Sequence, residues 1–514
     1  MHEAAVPLIA FAATLLLVAA VRAAFLSGSR HGAVDHHYWI LAARAYRTQR
    51  GLPVRIDGKY LLEDARQAYP PGFGAFLALF PERLLRSPRS AWLMVAVDAA
   101  TLVPLLAAAA ALALPPWSHA VIAAVHGLAP VLAAYNTQLT SRGLGNLALV
   151  VVLLAQVAAV SAAGPVAPLL WLIAIAATGC VILTHKMTTQ LLVALWPAWA
   201  LALGSWWAAL VPPLGLAAAI AVTGPSFQRL QWRAHGEIVA FWHRNWRFLG
   251  AHPFRQSPLY GDAARPGPGA FHQPGLAGVA RHLLLAFGYL PAGWLLPATL
   301  LFAPAPPPWV MAWLGVTLVV CLATLIVPPL KCLGGGHLYL FNAAPPAALW
   351  WAMLLAAPSG AIVALFVLAL ALTAVSLAAG WRRRSRRDAV DTLAPLVAQL
   401  AALPPARVAV FPVTAAERIA FETPHAVFWG GHGLGFPTLE PYFPVFREPI
   451  GAAMRRHRID LVALDTTWWP EGLAVVAQEL GDQAPERFGR WHVYRVYPVE
   501  TVRAHACIRG ACMS

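Results

Sequence analysis

For most of its length the chain alternates long apolar runs with short polar breaks. The runs lie near 4–26, 70–85, 91–114, 118–135, 144–163, 166–184, 188–204, 206–223, 282–303, 309–329, 338–357 and 360–380. Each is close to the length a helix needs to cross a hydrocarbon core about 30 Å thick. The pattern predicts a polytopic α-helical membrane protein with about 12–13 transmembrane helices. Residues 1–26 lack a basic leader region and a small-residue cleavage site, so they are expected to stay as the first helix. Beyond 380 the pattern changes. The basic run "WRRRSRRD", 381–388, ends the last apolar stretch. Then "ARVAVFP" (406–412), "HAVFWGG" (425–431), "IDLVALD" (459–465) and "RWHVYRVYP" (490–498) read as strands, with helices at 389–403, 446–457 and 470–481. A small C-terminal α/β domain is expected over 389–500, followed by a tail over 501–514. The membrane domain is then 1–380, including a first long loop at 27–69 and a second at 224–281.

Composition agrees with this class. Hydrophobic residues make up 59% and charged residues 11% of the 514, against roughly 25% charged in soluble proteins. The net charge of +15 comes from arginines beside apolar runs, as membrane topology requires. No basic face with stacking aromatics stands apart from membrane anchoring, so no nucleic-acid partner is expected. Acidic headgroups, or a lipid substrate bearing phosphate, use the same charge. Of the 5 cysteines, Cys180 and Cys321 lie inside apolar runs. Cys507 and Cys512 could close a small disulfide loop if the C-terminus is extracytoplasmic, and no zinc-ligand spacing is present.

Polar chemistry concentrates in the first loop. "AVDHHYWILAARAYRTQRGLPVR", 33–55, has helical spacing, with Arg44, Arg47 and Arg50 repeating on one side and Gly51-Leu52-Pro53 as its stop. It reads as an amphipathic helix at the membrane surface, with Asp35 as an N-cap or as a functional carboxylate. "DGKYLLEDARQAYPPGFGAFLALF", 57–80, then leads through Tyr69-Pro70-Pro71 into the next apolar run. Pro-Pro suits a helix start.

A first span, an acidic residue opening the next loop, an aromatic-rich juxtamembrane helix and "YPP" before the second span resemble the GT-C glycosyltransferases. That group includes oligosaccharyltransferase catalytic subunits, protein mannosyltransferases and lipid A aminoarabinose transferases. The resemblance implies transfer of a sugar from a polyprenyl-phosphate carrier to an extracytoplasmic glycan, lipid or protein acceptor, by an enzyme of the plasma or inner membrane. It makes Asp35 the catalytic base or a metal ligand. "TGCVILTHKMTTQLLVALWP", 178–197, resembles the family's span junction with a basic residue, here Lys186. "LKCLGGGHLYLFNAAPP", 330–346, resembles its late phosphate-binding segment, with Lys331, His337 and Tyr339 matching. This chain has Leu-Tyr where the family more often has Arg-Tyr, which leaves His337 as the nearby cation.

Such a reaction needs a carboxylate at the acceptor and cations on the departing phosphate. His37, Tyr38, Arg44, Arg47, Lys59 and Tyr69 join Lys331, His337 and Tyr339 as candidate substrate contacts, Arg being best suited to bidentate binding. If a divalent cation such as Mg2+ or Mn2+ takes part, Asp35 with Glu63 or Asp64 could hold it by oxygen ligation. Glu63 and Asp64 could equally be solvated surface. A transporter or flippase of a lipid-linked substrate is the alternative, with Asp98 and Lys186 as its intramembrane charges. A membrane scaffold carrying an α/β interaction domain is a further one. "FQRLQWRAHGEIVAFWHRNWRFL", 227–249, reads as amphipathic on the headgroups, and 253–278 as a Pro/Gly-rich flexible half. "FWGGHGLGF", 428–436, reads as a flexible loop, and Asp465 as a strand-end cap.

The membrane sides conflict. "PERLLRSPRS", 81–90, and the run 381–387 are basic and so expected in the cytoplasm. Counting spans from there puts 224–281 and 328–339 on the cytoplasmic side and the first loop outside. The resemblance puts the basic residues of 328–339 on the same side as the catalytic loop.

Overall fold

A computed structural model describes residues 2–27, 34–245, 275–387, 390–430, 434–443, 447–469, 472–480 and 484–496. Much of the second loop, including 253–274 of its Pro/Gly-rich half, and the Cys507 and Cys512 positions lie outside these residues, while 275–278, expected to be flexible, open the helix Gly275–Tyr289. The chain divides into two compact units: 1–39, 70–243 and 274–390 form the first, and 40–69, 244–273 and 391–514 the second.

The first unit is helical. Its helices are α1 (His2–Ser27), the start of α2 (Val34–Thr48), α3 (Gly72–Ala78), α4 (Glu82–Arg86), α5 (Trp92–Ala111), α6 (Ser118–Gly127), α7 (Pro130–Tyr135), α8 (Ser141–Ser161), α9 (Val166–Ile182), α10 (Lys186–Leu203), α11 (Trp206–Thr223), α12 (Pro225–Asn245), α13 (Gly275–Tyr289), α14 (Pro291–Trp294), α15 (Leu296–Thr299), α16 (Pro308–Ile326), α17 (Ala344–Ala356) and α18 (Gly360–Arg387). Among the described residues, 6 helices are long and apolar enough to cross a membrane, in α1, α5, α8, α11, α16 and α18. The pair α13 and α14–α15, bent by 107°, is a broken span or a re-entrant loop and brings the number to 7 at most. Proline sets the breaks: Pro130 opens α7 after Leu128-Ala129, and Pro291 opens α14 at the bend. Small residues let helices close in. A Cβ on Gly215 of α11 would meet Thr178 of α9, and one on Gly127 of α6 would meet Val18 of α1.

The expected span at 70–85 does not form. Its residues make the short helices α3 and α4, stopped by Leu79-Phe80-Pro81 and by Ser87-Pro88. Without that crossing the helix alternation changes parity. The α7–α8 turn, the α9–α10 junction, the start of α12 and residues 327–339 all return to the end of the bundle where α2 begins. Contacts agree: Leu139 N donates to His36 Nδ1 at 3.3 Å, and Tyr339 Oη donates to Gln190 of α10 at 2.6 Å. Arg384 Nη1, in the basic run closing α18, donates to the Ala134 carbonyl of α7 at 2.8 Å, so this run sits at the same end. The basic run 381–387, expected in the cytoplasm, and the first loop, expected outside it, thus share one end of the bundle.

The second unit is α/β. Helix α19 (Ala394–Ala401) precedes β1 (Arg407–Phe411), α20 (Ala416–Glu422), β2 (Ala426–Val427), α21 (Phe436–Leu439), α22 (Ile450–Arg456), β3 (Leu461–Asp465), α23 (Gly472–Leu480), β4 (Glu486–Phe488) and β5 (Trp491–Arg495). The sheet order is β2-β1-β3-β5-β4. β1 runs parallel to β2 and β3, while β5 runs antiparallel to β3 and β4. β1 and β3 are buried almost throughout, as a strand covered on both faces must be. Helix α20 and strand β4 were not legible in the sequence.

Residues 40–69, read from sequence as part of the membrane domain, pack instead with this sheet. Tyr60 bridges to Val427 in parallel register. Val427 N donates to Lys59 O at 2.8 Å, Leu61 N to Val427 O at 2.9 Å and Leu62 N to Phe428 O at 3.2 Å. The loop thus occupies the free edge of β2, whose two residues would otherwise leave open backbone groups.

Candidate functional site

In the first unit, three segments meet around the start of α2. Trp39 meets the Phe73 ring edge-on, with centroids 4.7 Å apart. Gly72 N donates to Leu183 O at 2.5 Å, and a Cβ at 72 would lie 2.7 Å from that oxygen and 2.9 Å from Thr184 Oγ1. Glycine after Tyr-Pro-Pro is therefore what lets α3 seat against the α9–α10 junction. His185 caps α10 there: its Nδ1 accepts from Thr188 N at 3.3 Å and faces Thr188 Oγ1 at 2.9 Å. Gly145 of α8 makes room for it, since a Cβ would stand 2.7 Å from His185 Cβ.

Charge converges on this junction. Burial holds the His185 ring well below its ordinary pKa; the charge of Arg142 adds to that, Asp35 opposes it, and Lys186 lowers it further. The carboxylate of α2's first turn and two cations from the first turns of α8 and α10 thus act on one imidazole. Neither cation suits its helix, because the N-terminal end of the dipole repels positive charge. That mismatch is the signal by which Arg142, which the sequence reading missed, could have been found. Thr140-Ser141-Arg142 otherwise looks like an ordinary capped helix start.

The late segment joins the same cluster. Tyr135 Oη and His337 Nε2 are 2.5 Å apart, and Tyr289 lies 3.4 Å from Tyr135. His337 stacks on Tyr289 with centroids 5.0 Å apart, and the Arg142 guanidinium sits 5.8 Å from the Tyr135 ring centroid. Burial, then Arg142 and His282, lower His337 to about 3, so it is a neutral hydrogen-bonding group and not the substitute cation that the sequence suggested. Tyr339 Oη donates to Gln190 Oε1, and Gln190 Nε2 lies 3.1 Å from His235 Nε2 on α12. Lys331 is half-buried in the turn 328–333, and burial lowers its pKa.

The remaining predicted residues divide between the units. Asp35, His37 and Tyr38 lie in the first unit, with His37 and Tyr38 buried. Arg44, Arg47, Lys59, Glu63, Asp64 and Tyr69 lie in the second. There Lys59 Nζ donates to Thr423 O at 2.8 Å, and the Arg44 guanidinium sits 5.6 Å from the Phe421 ring centroid. Asp64 takes a forked pair from Arg66 at 2.6 to 3.1 Å, which holds its carboxyl below the usual range. Among the described residues no three His, Cys, Asp or Glu side chains are placed to hold a metal ion.

No protein-family profile matches this chain, and no curated protein sequence does. Solved structures do. ArnT from Cupriavidus metallidurans, in the apo state, superposes over 96% of this chain and 98% of its own, with a TM-score of 0.54 at 15% identity. The same protein bound to undecaprenyl phosphate covers 95% and 98%, with a TM-score of 0.54 at 14% identity. The Archaeoglobus fulgidus oligosaccharyltransferase in the apo form covers 91% of this chain and 71% of its own, with a TM-score of 0.52 at 12% identity. The fold is GT-C. Within the GT-C fold, the cluster of Asp35, Arg142, His185, Lys186, Tyr135, His337 and Tyr339 sits at one end of the membrane bundle.

Proposed function

We propose that this protein is a cell-membrane glycosyltransferase that moves a sugar from a polyprenyl-phosphate carrier to a glycan, lipid or protein acceptor outside the cytoplasm. The observation that carries this reading is the meeting, in a GT-C bundle, of the first turns of α2, α8 and α10, which bear Asp35, Arg142 and Lys186. The likeness to ArnT bound to undecaprenyl phosphate supports the choice of donor.

In this reading Asp35 accepts the proton of the acceptor hydroxyl. The acceptor oxygen bonds to the anomeric carbon as the bond from that carbon to the phosphate oxygen breaks. The electron pair leaves on the lipid phosphate, whose charge Arg142 and Lys186 stabilise. Tyr339, His337 and Tyr135 supply hydrogen bonds around it, and Lys331 adds charge at the same end. Lys59 and Arg44 hold the first loop to the α/β domain instead.

The test is a transfer assay on the purified protein with an undecaprenyl-phosphate-linked sugar, beside a binding measurement with undecaprenyl phosphate. Asp35→Asn should lower transfer by about 100-fold or more with binding retained, and Arg142→Gln should weaken binding about tenfold. Full transfer by Asp35→Asn would remove its assignment. Absence of binding by the folded wild type would remove the reading.

A further inference from the structure

Arg142 stands at the end of a turn that is tied down deep in the apolar bundle. Asp98 of α5 is buried, and its Oδ2 accepts from Asn136 Nδ2 at 2.6 Å and from Arg22 Nη2 of α1 at 3.2 Å. Arg22 Nε also donates to Gly127 O, at 3.1 Å, where α6 ends. The first turn of α8 lies on the same carboxylate: a Cβ on Gly143 would be 3.5 Å from Asp98 Oδ1 and 3.7 Å from Asn136 Nδ2. One carboxylate is thus bonded to the start of the stretch 136–143 and lies close beside its end, where only a glycine leaves a gap. The residue before that stretch begins is Tyr135, and the residue before Gly143 is Arg142.

A buried ion pair is poor value as a source of stability, because desolvating both ions offsets their attraction. Ionisable groups inside a membrane bundle are retained for what they arrange. Here the arranged object is the α7–α8 turn, and the turn's cargo is the guanidinium proposed above to meet the lipid phosphate.

We propose that Asp98 and Asn136 are positioning residues that set the α7–α8 turn so that Arg142 presents its guanidinium to the donor phosphate. This rests on the glycosyltransferase reading. Neither residue touches substrate; both act through Arg142, and Arg22 holds the Asp98 carboxylate in place.

The experiment is a double-mutant cycle on the full-length protein, read as affinity for undecaprenyl phosphate and as melting temperature. Asn136→Leu, Arg142→Gln and the double variant are compared with wild type. Asn136→Leu should weaken binding about tenfold, with a fall in melting temperature from the donor lost to the buried Asp98 carboxylate, and should add less than about twofold to the binding loss in the Arg142→Gln background. Multiplying effects would overturn the proposal, since they would show that Asn136 acts elsewhere. Unchanged binding by Asn136→Leu, with Arg142→Gln weakened, would overturn it too and leave the glycosyltransferase reading standing. No binding by wild type would overturn both. Should Asn136→Leu not fold, Asn136→Ser shortens the side chain without adding apolar bulk and takes its place in the same cycle.

Discussion

Lys331 is a half-buried lysine that burial makes harder to protonate than usual. A cation penalised in the folded state costs stability at neutral pH, where the unfolded chain keeps it charged in water. Lys331→Met should therefore raise the melting temperature and, if the side chain serves the phosphate, weaken undecaprenyl phosphate binding. A rise in stability with binding intact would leave Lys331 out of the site. His36 gives a different test. Its ring is pushed down to about 3, by burial first and by the neighbouring His37 second, and its Nδ1 accepts from Leu139 N. The unfolded imidazole takes up a proton near pH 6.5. The stabilising contribution is thus complete above about pH 6.5 and is lost as pH falls toward about 3. His36→Gln should flatten the acid limb of a stability–pH profile by about 1.4 kcal/mol per pH unit across that window. An unchanged slope would mean that His36 titrates normally.

At the scale of elements, the hydrophobic pattern located most helices to within a few residues, because a membrane leaves helices as the way to pair backbone groups within a segment. It failed at 70–85, where apolar content is high but Pro81 and Pro88 cut the run before it reaches crossing length. The approach of α3 to the α9–α10 junction could not be read either. It depends on Gly72 meeting Leu183, two positions far apart in the chain. Gly72→Val should cost about 1–3 kcal/mol from the clash with a backbone oxygen and lower transfer with it. A variant with wild-type melting temperature and transfer would show that the junction tolerates separation. Asp35, His337 and Tyr339 were picked out by the resemblance to GT-C enzymes. Arg142 was not, since a capped helix start hid a cation placed against its helix dipole.

For the whole molecule, the boundary after residue 380 was visible as a change in composition. That 40–69 belongs with the distant sheet was not, because edge pairing leaves no periodic signature in a short, irregular segment. The attachment makes its own prediction. Tyr60 Oη donates to the buried Glu417 carboxylate at 2.5 Å. Tyr60→Phe removes that donor from a buried anion and should cost about 1–3 kcal/mol, seen as faster proteolysis within 40–69. Cleavage at the wild-type rate would show that the backbone pairing to β2 suffices.

The pairing of Arg22 with Asp98 also bears on how the protein is made. Arg22 sits in α1, and its counter-ion on α5 is synthesised only after the whole first loop has followed. A lone arginine in a span costs up to about 3 kcal/mol at the bilayer centre and less near the ends. The first helix carries that cost until α5 supplies Asp98. Asp98→Leu should lower the amount of inserted protein in cells, and Arg22→Met combined with Asp98→Leu should restore it.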